Sequence, residues 1–377
     1  MPDQSSLHPA NRQHLNALTD EVGIMQHAIG SRPDPAHGYC TDDVARALQV
    51  DVLHGKELGW PAVAERAKRN LDFLTEALDR ETGRFRNFRS VDRSWTRETG
   101  SQDCHGRAIH ALGDVIAEAP DPTLVESATA LFDAALPAAL GLDALRAQAS
   151  VLLGCAARLR ADPSSSTADT ARPLAARFLA RFADGRDPAW PWPESSLTYE
   201  NALPARALIV AGQTFRSQPM IDAGLRALDW LIKVQTTTDG HLSPIGNGWW
   251  ARGGRKSRFD QQPIEATALL LAAESAYQVT GYDRHQMAME RAYAWFLGKN
   301  DLGVDVADPK RGAGYDALTP HGANTDQGAE STLMWLIAVE HIRAARGQGA
   351  SANTGPAAGH RTSAARPTDA AAVPSVP

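Results

Sequence analysis

The sequence predicts an all-α protein, an (α/α)6 toroid in which six helical hairpins close into a ring. Apolar residues recur at helical spacing in about twelve segments, and period-two strand patterns are almost absent. Six of these helices follow a short polar phrase, at successive spacings of 61, 40, 58, 62 and 63 residues. The loops that lead into these six helices are mostly long, whereas the loops that leave them are mostly short.

The predicted helices follow this periodicity in chain order. The first spans residues 11–30, where Leu15, Leu18, Val22, Met25 and Ile29 recur at helical spacing. The next, opened by Thr41 as its cap, fades near residue 55. Further helices are predicted over residues 61–78, 103–118, 122–140, 143–160, 172–182 and 219–235, and from about residues 201, 262, 282 and 325, the last ending by residue 347.

The alternation of long and short loops predicts how the helices are layered. The motif-led helices, which begin near residues 42, 103, 143, 201, 263 and 326, should form the inner ring. Their N-termini then meet at one working face, which we call the mouth. The toroid domain is predicted over residues 1–346. Residues 347–377, rich in Ala, Gly, Ser, Thr and Pro without an apolar period, are predicted to be a disordered tail.

Composition limits the class of protein. The formal charge is 38 − 44 = −6, which argues against a general nucleic-acid surface. The first residues lack an apolar signal core, and no apolar run reaches membrane-spanning length. Three cysteines make no disulfide framework. We therefore expect a soluble, cytoplasmic protein that binds neither nucleic acid nor membrane.

Four phrases at the helix starts resemble those of a known superfamily. They are His-Gly-Tyr-Cys-Thr-Asp-Asp at 37–43, Gln-Asp-Cys-His-Gly-Arg at 102–107, Phe-Asp-Gln-Gln-Pro-Ile-Glu-Ala at 259–266 and Asn-Thr-Asp-Gln-Gly-Ala-Glu-Ser at 324–331. With the hairpin count, they resemble the six-hairpin glycosidase superfamily over about residues 11–346, and within it a bacterial subgroup described alongside glycosyltransferases.

This resemblance implies a carbohydrate substrate bound at the mouth and an association with a glycosyltransferase. The superfamily contains hydrolases, phosphorylases, lyases and epimerases, so the resemblance leaves the reaction open. A glycoside hydrolase is the favoured interpretation. A non-catalytic sugar-binding partner of a glycosyltransferase is the alternative from another class, since fold alone does not establish activity.

Glycoside cleavage needs a proton donor and a second carboxylate, and the helix starts supply acids. In a six-membered ring, Asp103 should face Asp260 and Glu265, while Asp42 and Asp43 should face Glu200. We predict Asp103 and Asp260 as the acid–base pair and Asp43 as a partner of a sugar hydroxyl. Further candidates for catalysis are Asp42, Asp43 and Glu330. Acids also suit the first turn of any helix, so a structural role remains the alternative.

Aromatic and amide side chains in the same loops suit a sugar, whose ring faces stack and whose hydroxyls need hydrogen bonds. For Trp190 and Trp192, the alternative is that both plug the loop against the helices. The predicted substrate-binding residues are His37, Gln102, His105, Arg107, Trp192, Tyr199, Glu200, Asn201, Trp249, Trp250, Gln261, Gln262, Glu265, Asn324 and Gln327.

Two further patterns leave alternatives open. Arginines and lysines recur in three mouth loops, at residues 84–97, 252–258 and 310–311, and favour an anionic ligand or phosphate. His37, Cys40, Cys104 and His105 allow a zinc site, but their spacing fits no established zinc pattern. We predict no metal and no cofactor. The two histidines are expected to bond substrate or nearby acids, and as an acid–base pair they would suit an epimerase.

Overall fold

Helices in the described part of the chain alternate between an inner and an outer layer. The structure is a computed structural model that describes residues 11–96, 99–183 and 187–353, without the side chains of 183 and 348–353. The helices are α1 (Gln13–Leu18), α2 (Thr41–Leu58), α3 (Ala64–Ala77), α4 (Gln102–Glu118), α5 (Pro122–Ala135), α6 (Leu145–Ala161), α7 (Thr167–Ala183), α8 (Leu203–Phe215), α9 (Gln218–Gln235), α10 (Pro263–Thr280), α11 (Asp283–Phe296) and α12 (Ala329–Asn353).

The even-numbered helices close into a ring. Each contacts the next even-numbered helix, and α12 contacts α2. The helices α3, α5, α7, α9 and α11 each pack outside the inner helix that precedes them, and the short α1 packs on α12. The inner helices are those led by the polar phrases, so both the predicted (α/α)6 toroid and the assignment of its layers are confirmed.

Burial explains why each helix takes its layer. The inner helix α6 buries every residue from Leu145 to Ala157, so no face of it remains for solvent. The outer helix α3 instead buries one apolar stripe, which includes Ala67, Leu71 and Leu74, and exposes its charged face.

Short strands occupy the loops that lead into the inner helices. They are β1 (Met25–Ile29), β2 (Arg32–Cys40), β3 (Leu78–Asp79), β4 (Arg84–Phe85), β5 (Phe88–Arg89), β6 (Ser196–Leu197), β7 (Trp250–Ala251), β8 (Ala307–Asp308), β9 (Ala313–Gly314), β10 (Ala317–Thr319) and β11 (Gly322–Asn324). The order β1-β2-β5 forms an antiparallel sheet, and the others pair as β3-β4, β6-β7, β8-β9 and β10-β11. These hairpins build the rim of the mouth.

The predicted first helix is wrong beyond Leu18. Residues 25–40 form the β1–β2 hairpin, which turns at Gly30 with a φ of +58°. Met25 and Ile29 misled the prediction because positions four apart share a face in a strand as well as in a helix. At the other end, α12 continues to Asn353, past the predicted end at residue 347. The predicted tail beyond residue 353 lies outside the described residues.

One helix start differs from its prediction, and another matches it. Thr41 is the first residue of α2 rather than its cap, and its hydroxyl donates to the Arg86 carbonyl at 2.6 Å. Pro263 begins α10 as predicted, where its missing N–H costs no helix hydrogen bond.

One described segment, residues 122–141, is long and apolar enough to cross a membrane by length and composition alone. It joins α5 to the 3-10 turn Leu136–Gly141. Leu124, Leu131 and Phe132 of this segment are buried in the protein core. The segment differs from the sequence-based expectation that no apolar run reaches membrane-spanning length.

Glycines let α4 and α6 approach closely. A Cβ atom added to Gly113 would lie 2.3 Å from the Gly154 carbonyl oxygen, and one added to Gly106 would lie 2.6 Å from that of Ala147. Both distances are far below van der Waals contact, so a side chain at either position would push two inner helices apart.

We expect Gly113→Ala to destabilise the protein by about 1–3 kcal/mol, because overpacking outweighs the better helix propensity of alanine. Thermal unfolding measures the effect. Gly141→Ala is the control, since its added Cβ would meet nothing within 4 Å. Equal melting temperatures for the two variants would contradict this account of the helix crossing.

Candidate active site at the mouth of the ring

Adjacent aspartates at the start of α2 bind different arginines. Asp42 Oδ1 accepts a hydrogen bond from Arg107 Nη1 at 3.2 Å, and Asp43 Oδ1 accepts one from Arg46 Nη1 at 2.9 Å. Neighbouring positions on a helix point about 100° apart, which allows this divergence. The pair therefore joins two separate groups of charges.

Arg46 brings two carboxyl groups together. Its second terminal nitrogen lies 2.9 Å from Glu330 Oε2, at the start of α12. The Arg46 guanidinium group therefore bridges Asp43 and Glu330. Asp43 is 4% exposed, whereas the Glu330 side chain is 39% exposed. Burial raises the pKa of Asp43 to about 7, although Arg46 opposes the shift. Among the described residues, no group donates to Asp43 Oδ2.

Arg107 joins a second pair of carboxylates. It contacts Asp42 at 3.2 Å and Glu200 Oε2 at 2.7 Å, across the ring from α2 to the loop before α8. Asp42 and Glu200, which were predicted to face each other across the ring, are thus bridged by Arg107. We call Arg46, Arg107 and their four acids, Asp42, Asp43, Glu200 and Glu330, the mouth belt.

Asp103 lies in a different set of contacts. Tyr199 Oη donates to its Oδ2, and its Oδ1 is inaccessible to solvent and has no partner among the described residues. Arg146 lies 4.6 Å from the Tyr199 ring and pairs with Glu194 at 3.0 Å. Protein atoms therefore surround the Asp103 carboxyl group.

Glu265 is a buried anchor. Asn201 donates to its Oε2 from the side-chain amide at 3.0 Å and from the backbone at 3.3 Å, which ties the start of α10 to the loop before α8. Burial raises the pKa of Glu265 to about 7, although the hydrogen bonds from Asn201 oppose the shift.

Asp260 stands apart from Asp103. Asp260 is exposed and has a backbone φ of +57°. Its carboxylate has no hydrogen bond or ion pair within the described ranges. No contact joins it to Asp103, the partner predicted from the sequence. Gln262, which precedes α10, likewise makes no side-chain hydrogen bond in the part of the chain that the structure describes.

Several predicted sugar-binding amides instead hold the protein backbone. Gln102 Oε1 accepts from the backbone N–H groups of Asp143 and Ala144 at 2.7 and 2.8 Å. Gln261 lies in the core, where it donates to Asp301 at 2.6 Å and accepts from Trp295 at 2.9 Å.

Asn324 and Gln327, the two amide residues before α12, also make contacts within the protein. Asn324 accepts from the Asp326 backbone at 3.1 Å. Gln327 is buried, and its backbone binds the Gly30 carbonyl and His14. The Gln327 side-chain oxygen itself is buried without a hydrogen-bond partner in the described part of the chain.

The histidines and cysteines do not converge. His105 is buried against Phe85, and burial lowers its pKa to about 3. His37 lies on β2 with its side chain 55% exposed, 3.7 Å from Asp34. Cys40 and Cys104 are free buried thiols whose pKa values burial raises. Across the described residues, no three His, Cys, Asp or Glu side chains are arranged to hold a metal ion.

The mouth tryptophans divide into buried and exposed members. Trp190 and Trp192 are buried and donate to Glu194 at 2.8 and 3.3 Å, which matches the plug alternative. Trp250 stacks on Trp230 with ring centres 6.0 Å apart. Trp249 is 49% exposed, so its ring is accessible for stacking.

Acids neutralise most of the basic loop residues. Arg89 pairs with Glu76 at 2.6 Å, Arg258 with Asp301 at 3.1 Å, and Arg252 with Asp187. These pairs weaken the sequence-based expectation of an anionic ligand in the mouth loops. Arg97 lies outside the described residues.

Sequence reasoning missed Arg46 and Arg146. Each is a single charge in an apolar stretch of an inner helix, Val44-Ala45-Arg46-Ala47-Leu48 and Ala144-Leu145-Arg146-Ala147. A buried arginine is almost always paired with an acid, so a lone charge in such a stretch signals a partner across the ring.

Comparison with solved structures finds the same fold at low sequence identity. A sugar epimerase from a ruminal bacterium is 14% identical with a TM-score of 0.69, over 88% of this chain and 97% of that one. Cellobiose 2-epimerase from Bacillus thermoamylovorans is 12% identical with a TM-score of 0.67, over 87% and 95%. The GH76 alpha-mannanase from Bacteroides thetaiotaomicron is 10% identical with a TM-score of 0.59, over 90% and 96%.

No protein-family model and no curated protein matches the chain. Similarity at these identities shows the fold, and the chemistry must be argued from the mouth itself.

We expect Glu265 to make stability depend on pH. Because its folded pKa of about 7 exceeds the ordinary value of 4.5, the folded protein binds this proton more tightly than the unfolded chain. Stability should therefore fall relative to Glu265→Gln as pH rises from about 4.5 to about 7, and then level off. Urea unfolding across this range measures the difference.

The control for this experiment is Glu126→Gln on α5, an exposed glutamate without a partner among the described residues. Its stability difference from the wild type should not change between the two pH values. A Glu265→Gln difference that is equally flat would contradict the assignment of a buried protonated carboxyl group.

Proposed function

We propose that the protein is a carbohydrate-active enzyme that hydrolyses glycosidic bonds at the mouth. The main supporting observation is that the guanidinium group of Arg46 contacts both Asp43 and Glu330 and so holds the two carboxyl groups close together. Asp43 retains a proton near neutral pH, and Glu330 is an ion-paired carboxylate open to solvent. A proton donor beside an accessible carboxylate is the arrangement that glycoside hydrolysis uses.

The roles follow from these environments. Asp43 Oδ2 gives its proton to the leaving oxygen as the bond to the anomeric carbon breaks. Glu330 accepts a proton from the water that attacks this carbon. Asp42, held by Arg107, accepts a hydrogen bond from a sugar hydroxyl. Arg46 stabilises whichever of its two partners carries the negative charge.

Substrate binding is assigned to one exposed aromatic ring and to two polar groups of the mouth belt. The Trp249 ring offers a stacking surface, and Glu200 and Arg107 offer hydrogen bonds to hydroxyl groups. Tyr199 and Asp103 act together as one hydrogen-bonded unit behind the belt. We assign them to positioning rather than to proton transfer.

Epimerisation is the second candidate, and the similarity to two sugar epimerases supports it. Against it stands the burial of His105, which leaves the predicted His37–His105 pair without a shared site. Incubation of oligosaccharides in D2O separates the reactions. Hydrolysis releases new reducing ends, whereas epimerisation by proton exchange places deuterium on carbon without releasing any.

The non-catalytic alternative is a sugar-binding module that assists a glycosyltransferase. The acids distinguish it, because a binding module tolerates the loss of one carboxylate with modest change in affinity. A hydrolase loses turnover while it keeps substrate affinity. Phosphorolysis on the same site would show as a requirement for inorganic phosphate.

We expect Asp43→Asn to lower turnover by about two to four orders of magnitude, because the proton donor is removed. Glu330→Gln should have a similar effect. Wild-type turnover should also fall as pH rises above about 7, where Asp43 loses its proton. An oligosaccharide screen that detects reducing ends supplies the substrate, and steady-state kinetics measures the variants.

Asp260→Asn is the matched control, since this acid is also in the mouth loops but without a partner in the described chain. It should keep turnover near that of the wild type. A loss of about a hundredfold or more in both Asp103→Asn and Asp260→Asn, with Asp43→Asn active, would instead support the pair predicted from the sequence.

A further inference from the structure

Below the mouth belt, the ring encloses a chamber of about 910 Å³. Arg46, Arg107 and Glu200 of the belt form its ceiling, and the later turns of the inner helices form its walls. Lys56 and Gln213, both exposed, lie at its rim near the C-terminal ends of their helices. The chamber therefore opens on the face opposite the mouth.

The charges that line this chamber balance. Six carboxylates and six lysines or arginines contribute to its surface. Many are paired: Gln49 donates to Asp114 at 2.7 Å, and His341 contacts Glu274 at 2.7 Å. A balanced lining gives no general attraction for an anion or a cation.

Three polar side chains of the lining lack a hydrogen-bond partner in the described chain. The Arg206 side chain has no hydrogen bond, ion pair or ring contact there, and its Nε is buried. Ser150 is 2% exposed and its hydroxyl makes no hydrogen bond within the described ranges. The closest polar contact of His110 is a 3.6 Å approach to Asp114.

The carboxylates that act on Arg206 are Asp114 and Glu274 on neighbouring helices and Glu200 in the loop before α8, while Arg160 opposes them. They compensate its charge through space, yet none satisfies its donors by contact. An unmade hydrogen bond of this kind is costly in a partly dry interior. A guest with hydroxyl groups can accept from Arg206 and donate to these carboxylates at once.

The size and walls indicate the class of guest. A volume of about 910 Å³ lies within the range of small-molecule sites, roughly 300–1,000 Å³. Leu153, Met334 and Ile337 add apolar surface between the polar groups. Free donors and acceptors in a neutral, partly apolar chamber suit an uncharged polyhydroxyl compound.

We propose that this chamber is a second binding site, for an uncharged mono- or disaccharide, with Arg206, Ser150 and His110 as its hydrogen-bonding groups. The site is entered from the face opposite the mouth, and it shares only the belt residues of its ceiling with the hydrolysis proposed there.

The test uses the full chain with Trp249→Ala, which removes the stacking surface at the mouth. Glucose, mannose, N-acetylglucosamine, maltose and cellobiose are the probes, and saturation-transfer NMR followed by calorimetry measures binding. We expect at least one sugar to bind this protein. Adding Arg206→Gln or Ser150→Ala should weaken that binding about tenfold, as the loss of a buried hydrogen bond does.

Arg226→Gln, an exposed arginine on the outer helix α9, is the matched control and should leave binding unchanged. Arg206→Gln removes a buried charge and should fold, which its melting temperature checks. The proposal is overturned if no sugar binds the Trp249→Ala protein, or if Arg206→Gln and Ser150→Ala bind as well as Arg226→Gln. Binding of inorganic phosphate that depends on Arg206, in the absence of sugar binding, also overturns it. All of these measurements are of binding or stability, so none of them depends on catalytic turnover at the mouth.

Discussion

The need of buried guanidinium groups for carboxylate partners organises the mouth of this ring. Arg46 and Arg107 lie one turn inside their helices, where water cannot solvate them well. Each is ion-paired with acids from different inner helices or their loops. Losing one partner would leave a charge in a poorly solvated site, which is strongly destabilising. The belt thus fixes the relative positions of α2, α4, α12 and the loop before α8.

The same belt gives neighbouring acids different properties. Asp42 and Asp43 are adjacent in sequence, yet they reach separate arginines and differ in burial. Asp43 becomes the acid that holds a proton, because it loses the most water. The belt also forms the ceiling of the lower chamber. One set of ion pairs therefore borders both the mouth and the chamber.

Shared architecture does not decide between the reactions that such rings support. Solved structures of similar shape include sugar epimerases and an alpha-mannanase. The difference must come from the few side chains that the ring presents. In this chain the mouth presents paired carboxylates and an exposed tryptophan, while His105 is buried behind Phe85. The proposal of hydrolysis rather than proton abstraction from carbon rests on these groups.

Periodicity and loop length alone determined the ring, the layer of each helix and the face that carries the mouth. They could do so because amphipathic spacing and loop length are local properties of the chain. They failed for the β1–β2 hairpin, since Met25 and Ile29 fit both periods. The phrases at the helix starts also located the belt acids Asp42, Asp43, Glu200 and Glu330.

Only the tertiary structure decided which acids meet. Arg46 bridges Asp43 and Glu330, and Asp103 accepts a hydrogen bond from Tyr199. Asp260 is exposed and has no side-chain partner in the described chain. The tertiary structure likewise placed Gln102, Gln261 and Gln327 on the backbone or in the core. Proton affinity and pairing depend on burial and on contacts between distant segments, and no local pattern encodes either.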